Sequence, residues 1–193
     1  MKKIFIKTTI ILLFFTSFNL KAEIKPIIEG SVDAKVKLVV FESLTCSHCA
    51  DFHKNVYPSL KTDFIDNGLI SIEFRNFPLD IAAFNASKIA HCKNDGKSEI
   101  LHHLYINQSS WVRGSTIEDL NKNLKKVVQE SGLKLDFDKC IADSKIEDFI
   151  LEDRIEGAKN YKIEATPTLI INGEKFENPK NYKKLKKYIE KLI

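Results

Sequence analysis

The sequence predicts an α/β domain interrupted by an all-helical insertion, and three observations carry that reading. Two short apolar runs, Lys37-Leu38-Val39-Val40-Phe41 and Leu69-Ile70-Ser71-Ile72-Glu73-Phe74, flank a stretch of helical periodicity. Residues 80–162 then carry helix starts and stops without a strand pattern. Strand character returns at Thr168-Leu169-Ile170-Ile171 and turns through Asn172-Gly173 into Glu174-Lys175-Phe176, the signature of a tight hairpin.

The chain begins with a different kind of segment. Lys2, Lys3, Lys7 and Lys21 surround an apolar stretch from Ile10 to Phe18, no acidic residue occurs among the first 22, and Ala22 is a small residue at a plausible cleavage point. These are the parts of a secretory signal, so residues 1–22 are expected to be removed and the mature chain to start near Glu23. The apolar stretch is far shorter than the roughly 20 residues that span a bilayer, which argues against an uncleaved anchor. Of the 30 basic residues four lie in this leader, and the other 26 balance 26 acidic ones. A neutral mature protein has no general attraction for nucleic acid or anionic membrane, so its partners must be recognised by local chemistry.

The first apolar run is short and β-branched, as a buried strand is, and delivers the chain to Cys46. Phe52, Val56, Leu60 and Phe64 recur at helical spacing, placing Cys46 at the first turn of a long amphipathic helix in which Pro58 predicts a kink. Two strands joined by such a helix form a βαβ unit with parallel strands. In the insertion, capping boxes stand at Ser115-x-x-Glu118 and Ser144-x-x-Glu147, Ser98 can cap a further helix, and Gly96 and Gly132 are candidate stops. A last helix places Leu185, Ile189 and Leu192 on one face and its lysines on the other. The expected organisation is a discontinuous α/β domain, 23–79 and 163–193, around a helical insertion, 80–162.

Four cysteines in an exported chain occupy a compartment where disulfides persist. Cys46-Ser47-His48-Cys49 is shared by redox enzymes, metal sites and structural disulfides, and its position decides between them. At a helix start, unpaired backbone N–H groups and the helix dipole favour a thiolate on Cys46, and a protonated His48 would add to that. Stabilising the thiolate favours the reduced pair and so raises its reduction potential, which points to an oxidant. A zinc ribbon needs two such knuckles, whereas Cys92 and Cys140 stand singly, so no metal site is expected.

Ser43-Leu44-Thr45-Cys46-Ser47-His48-Cys49 resembles the active site of DsbA-type thiol oxidases, and Arg75-Asn76-Phe77-Pro78-Leu79 and Ala165-Thr166-Pro167-Thr168-Leu169-Ile170-Ile171-Asn172-Gly173 are similar to two further segments of that family. The resemblance extends over the mature chain and implies a thioredoxin-like fold interrupted by the all-helical insertion. It implies that Cys46 is the exposed nucleophile, Cys49 its buried partner, and Pro167 a cis-proline beside which the Thr166 backbone pairs with extended substrate. It also implies a carboxylate that assists proton transfer, for which Glu42 is the nearest candidate in sequence, although Glu42 could equally face solvent. The chain departs from the best-known oxidases at Ser47, where they carry proline, and at Thr166, where valine is common and threonine also occurs in the isomerase branch.

If Cys46 pairs with Cys49, elimination leaves Cys92 with Cys140 as a structural disulfide, two buried free thiols being the alternative. His53, His91, His102 and His103 have no ligand spacing and are assigned no role, and Trp111 reads as packing in the insertion. The expectation is a periplasmic thiol:disulfide oxidoreductase without a cofactor. It would act as a monomer on unfolded or partly folded exported proteins with free cysteines and be reoxidised by a DsbB-like membrane partner. A disulfide isomerase or reductase on the same scaffold, and a non-catalytic metal-binding or holding chaperone, are the alternatives.

Overall fold

The computed structural model describes residues 23–193, and the expected leader, 1–22, lies outside the described residues. Five strands form one sheet: β1 (Ile27–Gly30), β2 (Val36–Glu42), β3 (Ile70–Asn76), β4 (Thr168–Ile171) and β5 (Glu174–Phe176), in the order β1-β3-β2-β4-β5. β2 and β3 run parallel, as the intervening helix requires, and the remaining pairs are antiparallel. The β4–β5 turn has positive φ at Asn172 (49°) and Gly173 (88°), the conformation that makes Asn-Gly a hairpin signal.

The helix after β2 breaks where Pro58 stands. It divides into α1 (Ser47–Asn55) and α2 (Tyr57–Leu60), because proline lacks an N–H and its ring crowds the preceding turn, and α2 runs on into a π-helical turn, Lys61–Ile65. A helix of nine residues such as α1 is marginal alone, and burial of Cys49, Ala50 and Phe52 against the sheet supplies what propensity does not, at roughly 1.5–3 kcal/mol per large apolar side chain.

Between β3 and β4 the chain is helical: α3 (Ile81–His91), α4 (Glu99–Ile106), α5 (Gln108–Trp111), α6 (Ile117–Glu130), α7 (Phe137–Ala142) and α8 (Ser144–Asn160); α9 (Tyr182–Glu190) ends the chain. The caps differ from those expected by one residue. Thr116, not Ser115, accepts from Asp119 N–H at the start of α6, and Asp143, not Ser144, accepts from Lys145 and Ile146 N–H at the start of α8. Ser98 precedes α4 without capping it, its hydroxyl being spent on Glu29. Gly132 follows α6 with positive φ, whereas Gly96 lies in the loop beyond α3. The sulfurs of Cys92 and Cys140 are joined, with Cα atoms 5.4 Å apart, which ties the end of α3 to α7.

The core has two faces. Leu38, Val40, Leu169 and Ile171 join Phe52 of α1 and Leu185 and Ile189 of α9 on one side of the sheet, while Phe41 and Ile170 meet Phe77 and Ile163 on the other. Leu192, expected on the buried face of the last helix, lies beyond α9 and is exposed. β1 was not anticipated from the pattern: four residues at a sheet edge, with only Ile27 buried, are too short to establish a period.

Candidate active site

The turn from β2 into α1 is tethered to the start of the insertion. Ser43 Oγ accepts from Leu79 N–H (3.2 Å), and Thr45 Oγ1 donates to Asp80 (2.6 Å), whose other carboxylate oxygen caps α3. From the far side, buried Gln108 of α5 donates to the carbonyls of Leu44 (2.8 Å) and Cys46 (2.9 Å). Cys46 is thereby held as the extended N-cap of α1, with no side-chain cap to occupy the N–H groups of the first turn.

Those N–H groups are left for sulfur. Cys46 is half-buried and Cys49 wholly buried. The Cys46 thiol is lowered to about 5, first by a hydrogen bond from the Cys49 thiol and then by Thr166 and the backbone N–H groups of Cys49 and His48, against the opposing effect of burial. Burial pushes the Cys49 thiol well up, and its bond to Cys46 adds to this. Across the site the Thr166–Pro167 peptide bond is cis, and the Thr166 carbonyl oxygen lies 3.3 Å from Cys46 Sγ. The chain thus brings Cys46, Cys49, Thr166 and Pro167 together.

His48 is placed differently from the expectation. Its ring is exposed, with Nδ1 accepting from the Lys180 ammonium (3.3 Å) and standing 4.0 Å from Asp51. Lysine can only donate, so this nitrogen serves as an acceptor, and it is the His48 backbone N–H, not the imidazole, that figures among the groups lowering Cys46.

Glu42 does not face solvent. It is 3% exposed, burial raises its carboxyl well above the ordinary range, and its Oε2 lies 2.8 Å from His53 Nε2. His53 in turn meets His102 (Nδ1 to Nδ1, 2.8 Å), and His102 Nε2 meets Glu29 on β1 (2.8 Å). Of this row the sequence pointed to Glu42 alone; His53 follows Cys49 by four residues and so shares its helix face, but nothing local joined it to Glu42 or His102. Gln108 gave no such signal, because its partners lie 62 and 64 residues away.

The chain is similar to known proteins over most of its length. The thioredoxin family model matches residues 22–191. A putative protein-disulfide oxidoreductase of Rickettsia bellii is 32% identical over 152 residues, covering 77% of this chain and 58% of that protein. The disulfide bond formation protein D of Bacillus subtilis is 28% identical over 85% of this chain and 75% of its own length. The chain therefore spans about three fifths of the length of its Rickettsia relatives. Among solved structures, Wolbachia pipientis alpha-DsbA1 superposes with a TM-score of 0.78 at 31% identity, covering 86% of this chain and 90% of that one. With a Cys-x-x-Cys pair opening a helix against a cis-proline turn, this chain belongs to the thioredoxin family and, within it, to the DsbA type.

Proposed function

We propose that the chain is an exported thiol oxidase that places disulfides into unfolded or partly folded proteins through Cys46 and Cys49. In this reading the oxidised pair is attacked at Cys46 Sγ by a substrate thiolate. The Cys46–Cys49 bond breaks, a mixed disulfide forms, and Cys49 leaves as a thiolate that takes up a proton. A second substrate thiolate then attacks the substrate sulfur of the mixed disulfide and expels Cys46. The observation that carries the proposal is the asymmetry of the pair: the half-exposed thiol is held to about 5 beside the cis-proline turn while its buried partner is pushed well up. A sulfur that is stable as a thiolate leaves readily, so the second step runs toward oxidised substrate.

The remaining parts follow from the same reading. The Thr166 backbone beside Pro167 pairs with extended substrate, Glu42 exchanges a proton with Cys49, and the Cys92–Cys140 disulfide braces the helical insertion, 80–162, against the discontinuous domain of 23–79 and 163–193. The protein works as a periplasmic monomer after loss of its leader and is reoxidised by a DsbB-like membrane partner. The test is equilibration with glutathione buffers. An oxidase gives a potential nearer the roughly −120 mV of a strong oxidant than the roughly −270 mV of thioredoxin. A value at the lower end assigns the scaffold to reduction, and Thr166 before the cis-proline keeps isomerase activity as the second reading.

A further inference from the structure

Glu42, His53, His102 and Glu29 form a continuous row with three contacts of 2.8 Å, from beside the cysteine pair to the rim of the sheet. Each contact at this distance accommodates one proton, carried by one side and accepted by the other. We infer that Glu29 dictates, through the tautomers of His102 and His53, that Glu42 stands in the site as a neutral carboxylic acid, a proton donor to the departing Cys49. The inference rests on Glu42 being the acid of the proposed exchange reaction and adds Glu29, His102 and His53 as positioning residues for it.

The polarity starts at the rim. Glu29 receives the Tyr57 hydroxyl on both oxygens (2.9 and 2.7 Å), the Ser98 hydroxyl, and the Lys61 ammonium at 3.3 Å, which is also paired with Asp66. Surrounded by donors, Glu29 is a carboxylate: although burial acts the other way, hydrogen bonds from His102, Ser98 and Tyr57 bring it to about 2. His102 Nε2 must therefore carry a hydrogen and donate it outward.

Burial lowers both imidazoles, His53 to about 3, so each ring holds a single N–H. His53 in particular is stacked on Tyr105 at 4.0 Å and flanked by Phe52 and Phe74, surroundings in which an imidazolium is costly. With its hydrogen on Nε2, His102 has a bare Nδ1 and accepts from His53 Nδ1–H. His53 then has a bare Nε2. Two bare acceptors do not rest 2.8 Å apart in a buried site, so the hydrogen of the last contact belongs to Glu42 Oε2. The other oxygen, Oε1, is buried, and although the Tyr105 hydroxyl acts to lower the Glu42 carboxyl, burial outweighs it and favours the neutral acid.

This polarity matches the proposed chemistry. When Cys49 leaves as a thiolate, the Glu42 O–H bond breaks and a Cys49 S–H bond forms. The resulting carboxylate faces the bare His53 nitrogen, which favours return of the proton when Cys49 must act as a thiolate again.

Nitrogen-15 NMR of the intact protein at neutral pH reads the tautomers without any substitution: Nδ1–H is expected on His53 and Nε2–H on His102, and the opposite pair overturns the inference. Infrared difference spectra should show a carboxylic-acid carbonyl band that disappears in E42Q. E29Q keeps acceptors for Tyr57 and Ser98 but offers His102 an amide donor, so the row can reverse and the same band should vanish there too, with folding checked by circular dichroism. A band that persists unchanged in folded E29Q refutes control by Glu29. Reduction of the disulfide by a dithiol should slow in both variants by about the 10²-fold typical of a lost general acid. If E42Q reacts at the unaltered rate while the tautomers and band behave as described, the polarity stands and the proton-transfer role of Glu42 falls.

Discussion

The Cys46 sulfur stands 3.3 Å from the Thr166 carbonyl oxygen although 120 residues separate the two. The contact joins the turn after β2 to the turn before β4, the two segments between which the helical insertion is spliced. The site is therefore assembled by the sheet, in which β2 and β4 are direct neighbours, and the insertion can cover it without interrupting it.

Cys46 and Cys49 should fail in different ways. Cys46→Ser is expected to abolish oxidation of a reduced protein substrate. Cys49→Ser should leave Cys46 able to capture the substrate in a mixed disulfide that persists, since no resolving thiol remains. Non-reducing electrophoresis reads both outcomes, and substantial turnover by Cys46→Ser would refute the assignment of the nucleophile.

The acidity of Cys46 also predicts a pH dependence of stability. A thiol lowered to about 5 from an ordinary value of 9.0 contributes stability to the reduced protein that is fully present above pH 9 and is lost as pH falls toward 5. The melting midpoint of the reduced protein, compared with that of Cys46→Ser so that all other titrations cancel, should rise between pH 5 and about 8. A flat difference across that window shows that folding leaves the thiol unshifted.

His48→Ala tests whether ring or backbone acts on the thiolate. The substitution keeps the backbone N–H, and the ring it removes is exposed and contacts the Lys180 ammonium. Thiolate absorbance should place the Cys46 midpoint within about one pH unit of its starting value, a change of no more than roughly 1.4 kcal/mol. A larger upward move returns the role to the imidazole.

Replacing Cys92 and Cys140 by alanine removes a cross-link spanning 48 residues, worth roughly 4 kcal/mol in the loop-entropy account. The melting midpoint should drop by several degrees with little change in the glutathione equilibrium. A large shift in potential would show that the two cysteine pairs communicate.

Gly157 on α8 packs closely against Phe41 of β2 and Phe77. A β-carbon there would lie 2.9 Å from Phe41 Cε1 and 3.2 Å from Phe77 Cδ2, with the aromatic cluster packed around it. Gly157→Ala should destabilise by about 1–3 kcal/mol through overpacking, despite the better helix propensity of alanine. A denaturant midpoint at or above the original would mean that Phe41 yields at little cost.

What the sequence determined by itself was local. The strand leading to Cys46, the helix opening on Ser47, the break at Pro58 and the Asn172-Gly173 turn each follow from a few consecutive residues, and the structure keeps them to within a residue or two. Where neighbouring residues offered similar local chemistry, as Ser115 and Thr116 or Asp143 and Ser144 did for a cap, the local pattern did not distinguish them, and the structure uses Thr116 and Asp143. Only the tertiary structure decided that Glu42 is buried, that Gln108 reaches back to the Cys46 carbonyl, and that His53 and His102 bridge Glu42 to Glu29. Periodicity tells which face of an element is apolar, but a polar side chain on that face is satisfied by whichever element packs against it. His102 and Glu29 lie 73 residues apart, and their meeting depends on β1 pairing with β3 at the sheet edge and on α4 packing against α1.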